Sequence, residues 1–224
     1  MSQPHFTPAF FGFFRELSDH NTREWFAEHK PRYERDVLDP LLRFVSDLEA
    51  PLTSLAPHIA VVTKKQGGSL FRLHRDTRFS KDKSPYKTNA AAHFQHVVKR
   101  EDRVGPGFYV HLAPGGCFGG GGIYHPDTVT LSAVRDRIAT VPEAWSAVLA
   151  AGITVQGESL KRPPAGYEPT HPHLEWLKLK DFFAMDTYSE VDVCAPDFLD
   201  GYLESCRRIV PLMRFLAEAN ALAW

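Results

Sequence analysis

Apolar side chains recur every three or four positions along the first quarter of the chain. Phe10, Phe13, Phe14 and Leu17 form one set, Trp25 and Phe26 a second. Tyr33, Val37, Leu41, Phe44, Leu48, Leu52 and Leu55 form a third. This period lines one face of an α-helix. Thr7 followed by Pro8 marks the start of the first helix, because proline suits the first helical position. Asn21 is read as the cap of a second, short helix. A third is expected from about Pro31, kinked or split at Pro40, which lacks the N–H that a helix interior needs.

Between residues 59 and 125 the pattern changes to strands. Ile59-Ala60-Val61-Val62 reads as a short one, and Thr88 to Val98 pairs with Phe108 to Leu112 across the polar turn Lys99 to Gly107. Another strand is expected near Cys117-Phe118, running to Tyr124. Hairpin-length connections imply antiparallel pairing. Helical spacing then returns, with Asp127 or Thr128 capping a helix through Leu131, Val134 and Ile138. Further helices are expected from Pro142 to Ala150, over His173 to Lys178, and from about Pro196 to Leu222. Lys161 to Tyr167 is a Pro/Gly loop, and Asp181 to Tyr188 a strand. The fold expected is α+β: a central antiparallel sheet flanked by N-terminal and C-terminal helices. One domain spans 1–224, helical over 8–56, mainly β over 59–125, and mixed but mainly helical over 127–224.

Composition narrows the class. The 224 residues, 43% hydrophobic and 24% charged, are ordinary for a globular protein with a real core. No apolar run reaches the roughly 18 residues of a membrane span, and the N-terminus lacks a secretory profile. Three scattered cysteines argue against a disulfide framework and for a reducing compartment, so the cytoplasm is expected. The net charge of −1 conceals a basic centre: residues 61–103 carry eleven basic and four acidic side chains. Residues 1–60 carry six and nine, and residues 104–224 nine and fourteen. A local basic patch between acidic flanks suits a small or end-on anion better than general polyanion binding.

That patch lies in Leu70–Asn89, which holds Arg72, Arg75, Arg78, Lys81, Lys83 and Lys87 against Asp76 and Asp82 alone. Guanidinium forks suit bidentate capture of phosphate or carboxylate. Arg72, Arg75, Arg78, Lys83, Tyr86 and Lys87 are therefore the candidate anion-binding residues. Asp76 and His111 are the candidates for proton transfer, although neighbouring cations should lower the pKa of Asp76 and favour an orienting role. The alternative is a surface loop whose arginines pair with the protein's own carboxylates. His74-Arg75-Asp76 resembles the start of a kinase catalytic loop, but Lys81 stands where that loop needs an asparagine, so the match fails. Gly119, Gly120, Gly121 and Gly122, with Tyr124, form a loop that could border the site. Sharp turns or a close passage of two backbones explain most of these glycines. His93-x-x-His96 on a strand points its rings to opposite faces, and His171-Pro172-His173 has no recognised ligand partner. No metal and no cofactor is implied.

Several runs together resemble one family. They are Phe14-Arg15-Glu16-Leu17, Asn21-Thr22-Arg23-Glu24-Trp25-Phe26, Tyr33 and Phe108-Tyr109-Val110-His111-Leu112, with Gly119 to Tyr124. The most specific is Arg75-Asp76-Thr77-Arg78-Phe79-Ser80-Lys81-Asp82-Lys83-Ser84-Pro85-Tyr86-Lys87. From Phe6 to about Phe215 the chain resembles the "domain of unknown function 2461" family. The resemblance implies a soluble single-domain protein. It marks Arg75, Asp76, Arg78, Lys83, Tyr86 and Lys87 as motif positions, with no chemistry attached.

The function expected is binding of a phosphate-bearing small molecule or nucleotide, with or without catalysis. The alternative is a non-enzymatic module for nucleic acid or an acidic partner that uses the same stripe. No membrane partner is expected, and the sequence leaves the oligomeric state open.

Overall fold

In the computed structural model, which describes residues 3–98 and 105–224, an extended Thr7 leads into α1 (Pro8–Asp19). Phe10, Phe13, Phe14 and Leu17 are buried as their spacing requires, and Phe11 is buried with them. Helix α2 (Arg23–Tyr33) is capped by Thr22, whose hydroxyl accepts from the Trp25 N–H at 3.2 Å, and not by Asn21. The helical path does not break at Pro40. A π turn over Glu34–Leu38 links α2 to α3 (Asp39–Leu55). The missing proline donor thereby falls next to a change of hydrogen-bond register, where an extra residue is accommodated without ending the helix.

The sheet is a four-stranded antiparallel array in the order β1-β2-β3-β4, with β1 (Ala90–Gln95), β2 (Gly107–Leu112), β3 (Cys117–Ile123) and β4 (Phe182–Tyr188). Ile59–Val62 contributes only a bridge from Ile59 to His96 beside β1, not a strand. Residues 99–104 of the expected turn lie outside the described residues. Ser69 to Phe71 flanks the free edge of β1, with Leu70 bridging Ala92.

Alternation gives the sheet two faces. Ala90, Ala92, Phe94, Phe108, Val110, Leu112, Phe182 and Ala184 are buried in the core. Helix α8 (Phe198–Ala219) lies over that face, with Tyr202 and Met213 closing on Gly119 and Gly121. Tyr202 also meets Phe44 of α3, with ring centroids 5.9 Å apart. Between β3 and β4 run α4 (Thr128–Thr140), capped by Asp127, then α5 (Pro142–Ala150) and α6 (Leu174–Leu177). Trp145 of α5 packs edge-on to Phe182 and Phe215. A short α7 (Glu190–Val193), opened by a Ser189–Asp192 capping box, was not evident from the apolar pattern. One core runs from Phe6 to Leu216, so the fold is α+β in a single domain. Among the described residues no helix is long and apolar enough to cross a membrane.

Candidate functional site

The basic segment folds back on itself as a ribbon. Lys87 N–H donates to Leu73 O at 2.8 Å, Arg75 N–H donates to Pro85 O at 2.9 Å, and His74 bridges Tyr86. Asn21 fixes the ribbon to the helical layer. Its amide donates to Tyr86 O at 3.0 Å, and its carbonyl accepts from Tyr86 N–H at 3.1 Å. Tyr86 itself is 6% exposed, its ring 4.3 Å from Phe26 and 5.0 Å from His74. It anchors the ribbon by packing as well as bordering the site.

The ribbon tip neutralises much of its own charge. Arg75 is ion-paired to Asp82 through Nη1, and Asp82 also accepts from Ser84 N–H and Oγ at 2.9 and 2.6 Å. Arg78 clasps Asp76 through Nε and Nη2 at 3.0 and 2.7 Å and lies over the Phe79 ring. Lys83 Nζ donates to Thr77 O at 2.9 Å. The Arg75 guanidinium holds the Asp82 carboxyl well below the usual range, and the Arg78 hydrogen bond lowers the Asp76 pKa. Asp76 is therefore kept ionised, as its neighbours implied. Phe79, 94% exposed, stands out from this tip.

Arg72 and Lys87 differ from these pairs: neither has a carboxylate within ion-pair distance among the described residues. Lys87 is half-buried, its Nζ 5.0 Å from the centre of the Phe71 ring. Burial, then the nearby Arg72 charge, pushes its pKa down. Lys87 also borders a polar hollow of about 420 Å³ with Arg75, Asp82, Tyr86, Ser18, Asn21, Ser84, Thr88 and Asn89. Ser18 and Thr88 continue into a second depression beside Phe14, Arg15, Asp19, Ala113 and Pro114. On the other side of the ribbon, Arg72 shares a cleft of about 330 Å³ with Lys30, Lys65 and His74.

His111 sits on the sheet face away from α8. Its Nδ1 is 3.0 Å from the Tyr109 hydroxyl, and its ring stacks on Phe118 at 4.7 Å. Burial, then the Lys87 charge, lowers its pKa, which favours the neutral imidazole. Arg75, Tyr86 and Lys87 thus share one hollow, while Arg72 and His111 connect to it through Lys87. Asp76, Arg78 and Lys83 belong to the ribbon tip.

Gly119, Gly120, Gly121 and Gly122 are not a loop at the site but the body of β3. A Cβ on Gly119 would stand 2.7 Å from the Tyr202 ring, and one on Gly121 3.0 Å from Met213 Sδ. A Cβ on Gly120 would stand 2.0 Å from Ala184 O of β4, and Gly122, with φ +149°, holds the backbone angle that requires glycine. Close passage of the β4 backbone accounts for Gly120 and Gly122, while the α8 side chains Tyr202 and Met213 leave no room at Gly119 and Gly121. Tyr124, 66% exposed, lies beyond the end of β3 opposite Phe118, its ring against His125 and Phe183. His93 and His96 do point apart. His93 is on the outward face near Phe71 and Tyr109, whereas His96 is buried, its Nε2 2.8 Å from Ala223 O. Among the described residues no group of three or more His, Cys, Asp or Glu side chains is arranged to hold a metal.

Sequence reasoning missed Asn21 as a ribbon tether, and with it Ser18, Thr88 and Asn89. Nothing in their local pattern marks them. Tyr109 could have been found: it stands two residues from His111 on a strand, and so on the same face.

The family model described as a conserved hypothetical protein, DUF2461, matches residues 9–215, and the chain belongs to that family. None of the curated proteins and none of the solved structures compared with the chain matches it.

Proposed function

We propose that the protein binds a small phosphate-bearing ligand, such as a nucleotide or sugar phosphate, in the hollow shared by Arg75 and Lys87. The observation that carries this reading is Lys87: a half-buried ammonium with a lowered pKa and no carboxylate partner. A buried cation without a counter-charge is unfavourable, and an anion in the adjoining hollow would relieve it. Arg75 engages Asp82 through Nη1, leaving the rest of its fork for an oxyanion. Asn21, Ser84, Thr88 and Asn89 supply neutral hydrogen-bonding groups around the same space. If the bound molecule undergoes proton transfer, neutral His111 beside Lys87 is the candidate base.

The test is thermal unfolding of wild type, Arg75→Met and Lys87→Met with inorganic phosphate, nucleotides and sugar phosphates. A ligand at about 100 times its Kd stabilises by about 2.7 kcal/mol, and that gain should vanish in both variants. Should no anion raise the wild-type midpoint while Lys87→Met alone raises it, the lysine is only an internal strain and the proposal fails.

A further inference from the structure

The outward face of the sheet carries rings where an open antiparallel face is ordinarily polar. Across the strands His111 lies opposite Phe118, and Tyr109 lies opposite His93 on one side and Gly120 on the other. Phe71, 48% exposed, extends the row beyond β1: its ring is 6.4 Å from His93, parallel to it, and 6.1 Å from Tyr109. Tyr109 is in turn 5.9 Å from Phe118. None of the outward positions of these four strands is acidic: Ala91, His93 and Gln95 on β1, Tyr109 and His111 on β2, Phe118 on β3, and Phe183, Met185 and Thr187 on β4. The cation beside this face, Lys87 against the Phe71 ring, has no carboxylate within ion-pair distance among the described residues.

We infer that this face binds single-stranded nucleic acid, successive bases stacking on Phe71, Tyr109 and the His111–Phe118 pair while Lys87 meets the phosphates. Unpaired bases present π-faces that stack on aromatic side chains without sequence preference, and flanking cations follow the backbone. Rings about 6 Å apart give more than one stacking position, which a lone small ligand would not use. A second copy of the chain is a poorer occupant, since pairing this face with itself brings Lys87 against its own kind. An acidic peptide would use Lys87 and leave the rings unexplained. The inference goes beyond small-ligand binding in the hollow, with which it shares Lys87 and His111.

The experiment is fluorescence anisotropy with labelled ten-nucleotide dT and dA strands at about 50 mM salt. Competitors are a duplex of the same length, polyglutamate and mononucleotides. Wild type should bind both strands, with log affinity falling against log salt at a slope of about −0.7 for one phosphate contact. Phe71→Ala and Phe118→Ala should each weaken binding roughly five- to hundred-fold. Phe71 is half exposed, so its variant should keep the wild-type unfolding midpoint and the loss can be read as lost stacking. Equal competition by duplex or polyglutamate, mononucleotide affinity equal to that of the strands, or unchanged affinity in both phenylalanine variants would each overturn the inference. Strand binding without any thermal response to small phosphates removes the hollow reading and leaves this one; the converse result does the opposite.

Discussion

Replacing Gly119 by alanine asks whether the glycine run exists to seat α8 on the sheet. The added Cβ would stand 2.7 Å from Tyr202 Cε2 and 3.0 Å from Cδ2. That is roughly 0.8 Å inside the ~3.5 Å at which two carbons make good contact. Tyr202 is fully buried and wedged against Phe44, so the ring cannot swing aside and α8 must lift. Overpacking of this kind costs about 1–3 kcal/mol, which for a chain of this size lowers Tm by about 2–12 °C. Gly201, in the same helix, meets nothing within 4 Å, so Gly201→Ala should act in the opposite direction. It removes a glycine from a helix interior and should stabilise by about 0.5–1 kcal/mol. Urea unfolding followed by tryptophan fluorescence and far-UV circular dichroism measures both variants. In a Tyr202→Leu background the Gly119→Ala penalty should shrink, because the atoms it strikes are ring carbons. A Gly119→Ala midpoint at or above wild type would refute the close-approach reasoning.

Three further outcomes follow from the geometry. Asn21→Ala removes a paired donor and acceptor from the Tyr86 backbone and should cost about 1–3 kcal/mol. Hydrogen exchange at the Tyr86 amide should rise more than exchange in α8, and uniform protection would count against the tether. The His111 pKa, followed by NMR, should lie below its ordinary 6.5 and climb in Lys87→Met, because one of its two causes is removed. At alkaline pH, Tyr33 and Tyr188 are both pushed up to about 12, chiefly by burial. Their folded pKa values exceed the ordinary 10.0, so the stability they contribute is complete below pH 10 and is lost as pH rises from 10 toward 12. Phenolate absorbance should show these two ionising together with unfolding, and early ionisation in the intact protein would contradict their burial.

Much of the fold was legible because its signals are local. The three- and four-residue spacing from Phe10 to Leu55 marks buried helix faces, and alternation in Phe108 to Leu112 marks a strand with one covered side. Pro40 misled in one respect: proline forbids an ordinary helical donor, but a preceding π turn is invisible to a 3.6-residue period. Ile59–Val62 has strand composition but finds only one bridging partner, because pairing depends on a neighbour and not on propensity. The glycine run looked like a loop for the same reason. Its cause lies in the β4 backbone and in Tyr202 and Met213, sixty or more residues further along.

The sequence alone determined that this chain is an α+β protein of a recognisable family and that cations crowd between Arg72 and Lys87. Composition and periodicity act over a few residues and survive in one dimension. Only the tertiary structure decided which of those charges are compensated. Arg75 and Arg78 meet Asp82 and Asp76, whereas Lys87 meets the Phe71 ring and a polar hollow. Electrostatic and stacking energies depend on distances of a few ångströms through space, and those distances exist only once helix, ribbon and sheet have come together.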